Sequence, residues 1–361
     1  MNLTEFRKLV TPKAIAANWT ENQSNKIPYV GETLFPSKQK AGLDLSWIKG
    51  QNGLPVSLMP SAFDAKATFR DRIGVTKLDT EMPFFREGFK IKEKDRQNIL
   101  RVREQNDPYL NEVLNKVFDD AGNLLAGALV VPERMRMQLL FPVGGDMGIT
   151  IKANGVDYTY DYDPAVGGTR LWKSTNYIAL TGNAAWNQIA TADPFADIQT
   201  AKDRVAAKGG VSRYAMMNST TFHLLRNVTA VKNRFLTVNG MAVGYLSDAD
   251  IANVLKDTLD LAGIIVYDKQ YADESKVAHK FVPDDYVAIL PEGALGSTWR
   301  GTTPEEADLM GSGQADVAIV NNGIAITQIV DAHPVNINTF ASEIVLPSFE
   351  RMDEVAVIKV K

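Results

Sequence analysis

The chain has 361 residues, 39 of them basic and 43 acidic, which gives a formal net charge of −4 at pH 7. Hydrophobic residues make up 45% and charged residues 23% of the sequence, a balance that excludes a disordered or collagen-like chain. There is no cysteine, so disulfides, thiolate nucleophiles and cysteine-bound metals are excluded as well. Only three histidines are present, which leaves little material for a histidine-based metal site or catalytic triad.

Charge and hydropathy also argue against a membrane-spanning segment and against tight binding to nucleic acid. The longest apolar run, Leu124–Val131, is far shorter than the roughly 20 residues that cross a bilayer. Residues 1–19 contain no continuous apolar segment, so no secretory signal is expected. The mildly acidic balance argues against tight binding to nucleic acid over the whole surface.

Residues 1–40 are predicted to form an extended arm. Polar residues and turn formers dominate from Asn18 to Lys40, and a short helix is expected only around Leu3–Leu9. The pattern is consistent with a frayed terminus and equally with a segment that becomes ordered against a partner. The sequence leaves both interpretations open.

Residues 41–104 alternate between strand-like and turn-like pieces. Period-two patterning predicts a strand over 42–48, the Asn52-Gly53 pair predicts a hairpin turn, and a second strand is expected over 82–91. The stretch 86–104 carries seven basic and four acidic residues. We expect it to have little core of its own and to lie across a neighbouring molecule, because connections this long are unusual inside a compact monomer.

The strongest helix signal covers residues 107–140. Asp107 is suited to the N-cap, and Pro108 to the first helical position. Apolar residues then recur with i, i+3, i+4 spacing over more than five turns, which predicts one buried stripe. Pro132 is expected to kink or break the helix locally, because proline lacks the amide hydrogen and clashes with the preceding turn. Helical character resumes after it, so the prediction is one helix of about 30 residues, bent near Val131.

Strands and shorter helices fill the remainder of the chain. Two strands over 148–151 and 156–162 are predicted to form a hairpin, and a helix is expected to begin at Asp193. Strand and helix signals then alternate, so residues 185–325 are typical of an α/β or α+β unit. The last stretch, 326–361, is rich in strands with period-two patterning.

Motifs for catalysis or metal binding are absent from the sequence. No phosphate-binding P-loop, no HExxH zinc motif and no Gly-x-Ser-x-Gly nucleophile elbow occurs. Asp161 and Asp163 alternate on one strand end and could share a cation, although a solvated strand end is the simpler interpretation. His223 follows Phe222 in a helical context, which favours a packed side chain over a general base. No enzymatic activity, cofactor or metal site is therefore predicted.

The order of the parts is more informative than any single motif: an arm, a long charged loop, one long helix, a β-rich platform, an α/β insert and a return to the platform. Several short stretches of sequence mark these parts, and together they span most of the chain from Leu43 onward. They are Pro132–Leu140, Gly148–Ile151, Tyr158–Tyr162, Asp193–Ile198, Met216–Ser219, Phe281–Asp284 and Leu295–Trp299.

These stretches, in this order, resemble the major capsid proteins of tailed phages with the Hong Kong 97 fold, most closely the lambda-type major capsid protein E family. Pro132 departs from the family, which usually has a good helix former there. The resemblance implies an α+β fold with the following parts: an N-terminal arm at 1–40, an E-loop at 41–104, a peripheral domain at 105–184 with the spine helix 107–140, an axial domain at 185–325 and a return to the peripheral domain at 326–361.

The resemblance also implies a function. The chain would be a structural major capsid protein, assembling into hexamers and pentamers of an icosahedral phage head that encloses double-stranded DNA without sequence-specific binding. Its partners would be copies of itself, a portal, a scaffolding protein and, as a further candidate, a decoration protein; no membrane is involved. About 40 residues precede the E-loop, too few for a fused scaffold domain, so the scaffold is expected to be separate. Assembly would take place in the host cytoplasm, and the product would be the virion capsid.

Charged and aromatic side chains of the E-loop are the candidates for contacts between subunits. They are Arg70, Arg72, Phe84, Phe85, Arg86 and Glu87. Some shells of this fold also join an E-loop lysine to an asparagine of a neighbour, and Lys49, Lys66 and Lys77 are available here. That reaction needs a desolvated lysine with a lowered pKa. The lambda-type family generally holds its shell without such links, so no cross-linking is expected.

Two alternatives remain open at this stage. An encapsulin-type nanocompartment shell protein would share the fold, but the sequence offers no recognisable cargo-peptide pocket. An enzyme with an α/β core and a long lid is the alternative of a different class. The size of the assembly in solution would discriminate between a shell and an enzyme.

Overall fold

The computed structural model describes residues 10–21, 28–49, 76–93, 109–153, 155–239, 247–273, 275–321, 323–333 and 335–361. The first half of the chain contains α1 (Pro12–Glu21), α2 (Val30–Leu34), β1 (Ser37–Lys40), β2 (Asp44–Lys49), β3 (Thr76–Glu81), β4 (Phe84–Ile91), α3 (Tyr109–Leu140), β5 (Gly148–Ala153), β6 (Val156–Asp161), α4 (Leu171–Asn176) and β7 (Tyr177–Ala179).

The second half contains α5 (Pro194–Ala206), β8 (Ser212–Met217), α6 (Ser219–Asn227), α7 (Thr229–Asn239), α8 (Asp248–Leu259), β9 (Gly263–Val266), β10 (Gln270–Ala272), β11 (Ala278–Lys280), β12 (Tyr286–Pro291), β13 (Ser297–Gly301), β14 (Asp316–Val320), β15 (Ile324–Ala332), β16 (Val335–Ser348) and β17 (Ala356–Lys359). The chain divides into two compact units. Unit 1 comprises 1–45, 79–134 and 297–348, and unit 2 comprises 46–78, 135–296 and 349–361.

Unit 1 is built on a six-stranded sheet organised around the long strand β16. Residues 337–342 of β16 pair with β15 and also with β4, so these two strands lie on opposite edges of β16. Ile344 pairs with both Gly301 and Phe84, which places β13 beyond β15 along the same edge. β1 adds to β13 in parallel and β14 adds antiparallel to β15. Among the described residues, β4 is therefore an edge strand.

One face of this sheet forms the hydrophobic core of unit 1. Helix α3 contributes residues at i, i+4 and i+8, and the sheet contributes isoleucines and alanine from β15 and β16. The buried members of the cluster are Val10, Ile15, Trp19, Ile91, Val117, Ala121, Leu125, Val320, Ile324, Ile326, Ile337 and Ala341.

The described part of the N-terminal arm packs on its own unit. Ile15 and Trp19 of α1 lie four residues apart and are both buried in the core of unit 1. The side-chain amide of Gln328 donates to the carbonyl of Val10 at 3.0 Å. For residues 10–21, neither interpretation offered by the sequence is right, because two large apolar side chains on one face are enough to dock a ten-residue helix. The helix expected around 3–9 lies outside the described residues.

Helix α3 is a single element of 32 residues, about 48 Å long at the usual rise per residue. This confirms the long helix, although its predicted cap, Asp107, and Pro108 lie outside the described residues. The helix continues through Pro132, as expected for one long element. Residues after the proline, such as Met135 and Leu139, are fully buried, and their burial outweighs one missing backbone hydrogen bond.

Unit 2 has its own five-stranded sheet, in the order β7-β17-β12-β8-β9. All six residues of the central strand β12 are buried. Helix α5 packs Ile198, Ala201 and Val205 into this core, and its predicted cap is confirmed, since the carboxylate of Asp193 accepts hydrogen bonds at the helix start. The hairpin predicted from residues 148–162 is also confirmed as β5 and β6.

The E-loop region is described only in part. A strand over 44–49 is present where one was predicted over 42–48, and it pairs with β3. The turn expected at Asn52-Gly53 lies outside the described residues. Among the described helices, none combines the length and the apolar character that a bilayer span requires.

Candidate assembly surface

Strand β4 carries four of the six predicted contact residues. Phe84 and Phe85 are half-buried, while Arg86 and Glu87 are exposed. The other two candidates, Arg70 and Arg72, lie outside the described residues. β4 pairs with β16 over eight residues, from Phe84 opposite Ile344 to Ile91 opposite Ile337.

Arg86 makes its described contacts within its own subunit. Its guanidinium forms an ion pair with Glu305, whose side chain is only 5% exposed. The same group lies 4.7 Å from the centroid of the Phe84 ring. Glu305 also accepts a hydrogen bond from the Ser342 hydroxyl at 2.9 Å. A buried carboxylate is costly without such partners, so Arg86 helps to hold β4 against the segment around residue 305.

These contacts correct one expectation. The stretch beginning at Arg86 was expected to have little core of its own, but Ile91 lies in the hydrophobic core of unit 1 and β4 is a full member of its sheet. The sequence could not show this, because the partner strand β16 follows about 250 residues later and no local pattern specifies that pairing.

Gly88 allows β4 to approach β16 closely. A β-carbon at this position would lie 2.5 Å from Cδ1 of Phe340 and 2.7 Å from the carbonyl oxygen of Thr339. Phe340 is the cross-strand partner of Gly88, so its ring occupies the space that a side chain would need. Sequence analysis missed this pair, since a glycine within a strand-like stretch was the only available signal.

Strand β4 lies at the edge of the sheet formed by the described strands. Within the part of the chain that the structure describes, β16 is its only strand partner. Exposed charges of both signs, Glu87 and Lys90, lie along the strand. Edge strands are ready templates for pairing, and alternating charges restrict which partner can pair. This arrangement suits selective binding between subunits and contains no catalytic constellation.

A buried ion pair fixes another part of the same sheet. Arg300 Nη1 donates to Glu343 Oε2 at 2.9 Å, and the two side chains are 4% and 1% exposed. Gly323 makes room for this arginine, because a β-carbon there would lie 2.9 Å from Cδ of Arg300. The pair connects β13 to β16. Sequence analysis missed it, since nothing local marks a charged residue in an apolar strand as buried.

The spine helix anchors the segment that follows the arm. Glu133 is fully buried on α3, and its Oε1 accepts a hydrogen bond from the Gly31 amide at 3.1 Å. Burial, together with the nearby Glu133 carboxylate, raises the pKa of Tyr29 to about 12. Helix α2 is therefore tied to α3 within unit 1.

Asp161 and Asp163, which could share a cation, instead bind groups of the protein itself. Asp161 forms an ion pair with Arg170 at 2.7 Å. Asp163 accepts hydrogen bonds from the backbone amides of Trp172 and Lys173, each at 3.1 Å. Among the described residues, no group of three or more acidic, histidine or cysteine side chains could hold a metal ion. The two aspartates instead organise the start of α4.

His223 is not the packed side chain that the sequence favoured. It lies on the exposed side of α6, because Phe222 and Leu225 take the buried side. Its Nε2 is 3.5 Å from a carboxylate oxygen of Asp248, and both side chains are about half exposed. This arrangement is a surface contact between α6 and α8.

Comparison with known proteins decides the family. The model of the family described as phage major capsid protein E matches residues 11–360. The chain belongs to the phage major capsid protein E family. The resemblance seen in the sequence is thus confirmed over nearly the whole chain. No curated protein sequence is significantly similar to the chain.

Two solved structures share the fold of this capsid protein. One is a protein assigned as the capsid protein of a prophage in Escherichia coli CFT073, with a TM-score of 0.59 and 14% identity over 98% of this chain and 99% of that one. The other is a phage-related protein from Bordetella bronchiseptica RB50, with a TM-score of 0.50 and 14% identity over 97% of each chain. The predicted α+β fold of the Hong Kong 97 type is confirmed.

Family and fold together define the general role of the protein. It is a structural major capsid protein of the virion, and it assembles with copies of itself into a shell. The family indicates a non-enzymatic protein. Neither the nanocompartment alternative nor the enzyme alternative receives support from the comparisons.

Proposed function

We propose that this capsid protein forms the hexamers and pentamers of an icosahedral phage head, which encloses double-stranded DNA. The observation that carries the proposal is the match of the capsid family over residues 11–360. The chain has no enzymatic activity of its own in this proposal, and assembly takes place in the host cytoplasm. Its work is done by repeated contacts between subunits, which closed symmetry multiplies.

The proposed domain organisation keeps the boundaries expected from the sequence. The parts are the arm 1–40, the E-loop 41–104, the peripheral domain 105–184 with its spine helix, the axial domain 185–325 and the return 326–361. Strands β8, β9 and β12 in the sheet of unit 2 support an axial domain, and β15 and β16 in the sheet of unit 1 support a peripheral one. The sheets also cross these boundaries, because β13 and β14 belong to the sheet of unit 1, and β7 and β17 belong to that of unit 2. The pairing of β4 supports an E-loop whose last strand is shared with the peripheral sheet.

Contacts between subunits are assigned to the E-loop, including its strand β4. Arg70, Arg72, Phe84, Phe85, Arg86 and Glu87 remain the candidates. The position of Glu87 on the exposed edge supports a direct contact with a neighbour, whereas Arg86, already paired with Glu305, would act mainly by holding β4 in place.

The further partners in this proposal are a separate scaffolding protein, a portal and a decoration protein. The enclosed DNA is contained without sequence-specific binding. The overall charge of −4 supports this part of the proposal, because an acidic protein does not hold phosphates tightly over its whole surface.

Sedimentation and light scattering of the purified chain test the proposal, alone and together with its scaffolding protein. We expect megadalton particles in at least one of these conditions. A chain that remains a monomer or a small oligomer in both would contradict the proposed shell.

A further inference from the structure

An open groove lies between helix α1 and strand β14 in unit 1. Its volume is about 350 Å³, at the lower end of the range for ligand pockets in proteins. It is therefore large enough to accept part of a peptide. The residues that line it are Ala16, Ala17, Thr20, Glu21, Ile319, Val320 and Asn321.

Most of the groove is apolar. Strand β14 contributes Val320, which is buried, and Ile319, which is half-buried. Helix α1 contributes the methyl groups of Ala16 and Ala17. The Thr20 hydroxyl already donates a hydrogen bond to the Ala16 carbonyl at 2.8 Å, so it needs no partner from a ligand. Such a surface favours an apolar side chain, because contact removes apolar area on both sides from water.

One end of the groove carries a negative charge. Glu21 is the last residue of α1, and its side chain is exposed. Within the described part of the chain, its carboxylate has no ion-pair partner. The last turn of α1 also contains no basic residue, so nothing there offsets a negative charge that opposes the helix dipole. A ligand with an apolar side chain next to a positive charge would fit both parts of the groove.

The segment that precedes α1 combines these two properties. Residues 1–9 lie outside the described residues. In the sequence, Phe6 stands directly before Arg7 and Lys8, and the segment also contains two leucines. An aromatic side chain followed by two cations complements an apolar groove that ends at an exposed carboxylate.

The position of Val10 places this segment within reach of the groove. Val10 is buried, and its carbonyl accepts a hydrogen bond from the side-chain amide of Gln328 at 3.0 Å, so the segment is fixed beside the start of α1. Ala17 is five residues from Pro12, the first residue of α1, which is about 8 Å along the helix axis. Phe6 is four residues before Val10, and four extended residues span about 13 Å.

The tether at Val10 also favours the same chain over a second copy as the source of the segment. A short tether holds a ligand near its site at an effective concentration in the millimolar range. A segment from a free copy would have to compete at the much lower concentration of the protein in solution. The segment of the same chain is therefore the favoured occupant in the unassembled subunit.

We propose that residues 1–9 fold back along α1 of their own chain, with Phe6 in the groove between α1 and β14 and with Arg7 and Lys8 beside Glu21. The docked segment holds α1 against the sheet of unit 1, in addition to the buried side chains of α1 itself. The inference concerns the single subunit, so it does not depend on the proposed shell function.

Disulfide trapping in this chain tests the proposal, because the chain contains no cysteine of its own. Glu5→Cys, next to Phe6, is combined with Ala17→Cys in the groove. The matched control combines Glu5→Cys with Asn18→Cys, an exposed position on α1 that does not line the groove. We expect mild oxidation to give about tenfold more disulfide within the chain at position 17 than at position 18, the factor that burial of one aromatic side chain provides.

Two further substitutions in the Glu5→Cys/Ala17→Cys chain test the side chains that make the contact. We expect Phe6→Ala to lower the disulfide yield about tenfold and Glu21→Lys about threefold, as for loss of an apolar contact and of a surface ion pair. Equal trapping at positions 17 and 18 would overturn the proposal, because a segment that does not dock meets both equally. An unchanged yield after both substitutions would also overturn it. So would disulfides formed mainly between chains, since the groove would then hold the segment of a second copy.

Discussion

Arg86 is one residue with two possible roles, within a subunit and between subunits. The structure shows the first role, an ion pair with the buried Glu305. Removal of Arg86 leaves the buried Glu305 carboxylate with the Ser342 hydroxyl but without its cation, and reversal of the charge at residue 86 adds repulsion. Substitution of Arg86 therefore affects the fold of unit 1 before it affects any contact with a neighbour.

We predict that Arg86→Glu destabilises the unassembled chain by about 1–3 kcal/mol, a value reduced from that of a fully buried pair because Arg86 is 45% exposed. Thermal unfolding measures the effect. Glu87→Lys, on the same strand but exposed, is the control and should melt like the unaltered chain. An unchanged melting temperature for Arg86→Glu would mean that the pair with Glu305 contributes nothing to the fold.

Tyr29 provides a test of the α2–α3 connection through its ionisation. Burial and the Glu133 carboxylate raise its pKa to about 12, above the ordinary value of 10.0. Because the folded-state pKa is raised, the stability that this group contributes is complete below pH 10 and is lost as pH rises toward 12.

The ultraviolet difference spectrum between the unaltered chain and Tyr29→Phe isolates this tyrosine. We predict that it titrates at about pH 12. Glu133→Gln keeps a hydrogen-bond acceptor for the Gly31 amide but removes the charge, so it should lower this pKa. Titration of Tyr29 near pH 10 in the unaltered chain would contradict its burial beside Glu133 of α3.

At the scale of elements, α1 shows how a polar-looking arm can be part of the core. Trp19 is 7% exposed and lies in the same cluster as Val117, Ala121 and Leu125 of α3. We predict that Trp19→Ala costs about 3–5 kcal/mol in urea unfolding, the usual range for a buried tryptophan. Lys13→Ala, on the exposed side of α1, should cost much less. Equal stability of the two variants would contradict the docking of α1.

Elements with a strong local signal could be predicted from the sequence. The long helix α3 has sustained apolar periodicity, an Asn-Gly pair in the sequence separates the two strands of the β5–β6 hairpin, and α5 has Asp193 as its cap. The interior of α3 also shows the limit of local rules, since burial on both sides of Pro132 preserves a helix that propensity alone would interrupt.

Features that depend on distant pairing could not be predicted. β4 pairs with β16, Arg86 forms an ion pair with the carboxylate of Glu305, and the Arg300–Glu343 pair joins two strands of the same sheet. Each depends on residues tens or hundreds of positions apart, and no periodicity or motif specifies them. The family resemblance supplied the overall arrangement but not these contacts.

At the scale of the whole molecule, the shell is expected to hold together without covalent links. The predicted candidates Lys49, Lys66 and Lys77 would each need a desolvated amine to attack an amide. We predict that mature particles, boiled in denaturant and separated on a gel, give a single band at the 39.7 kDa of the chain. A ladder of larger bands would show that subunits are cross-linked.

The central claim is that repeated contacts between copies of this chain build a closed shell around DNA. Electron microscopy of particles formed by this chain with the proposed scaffolding protein, with averaging of the particle images, tests it most directly. We predict closed particles of uniform size, with fivefold and sixfold clusters of subunits on their surface. Open sheets, irregular aggregates or only small oligomers under conditions that keep the chain folded would contradict the claim.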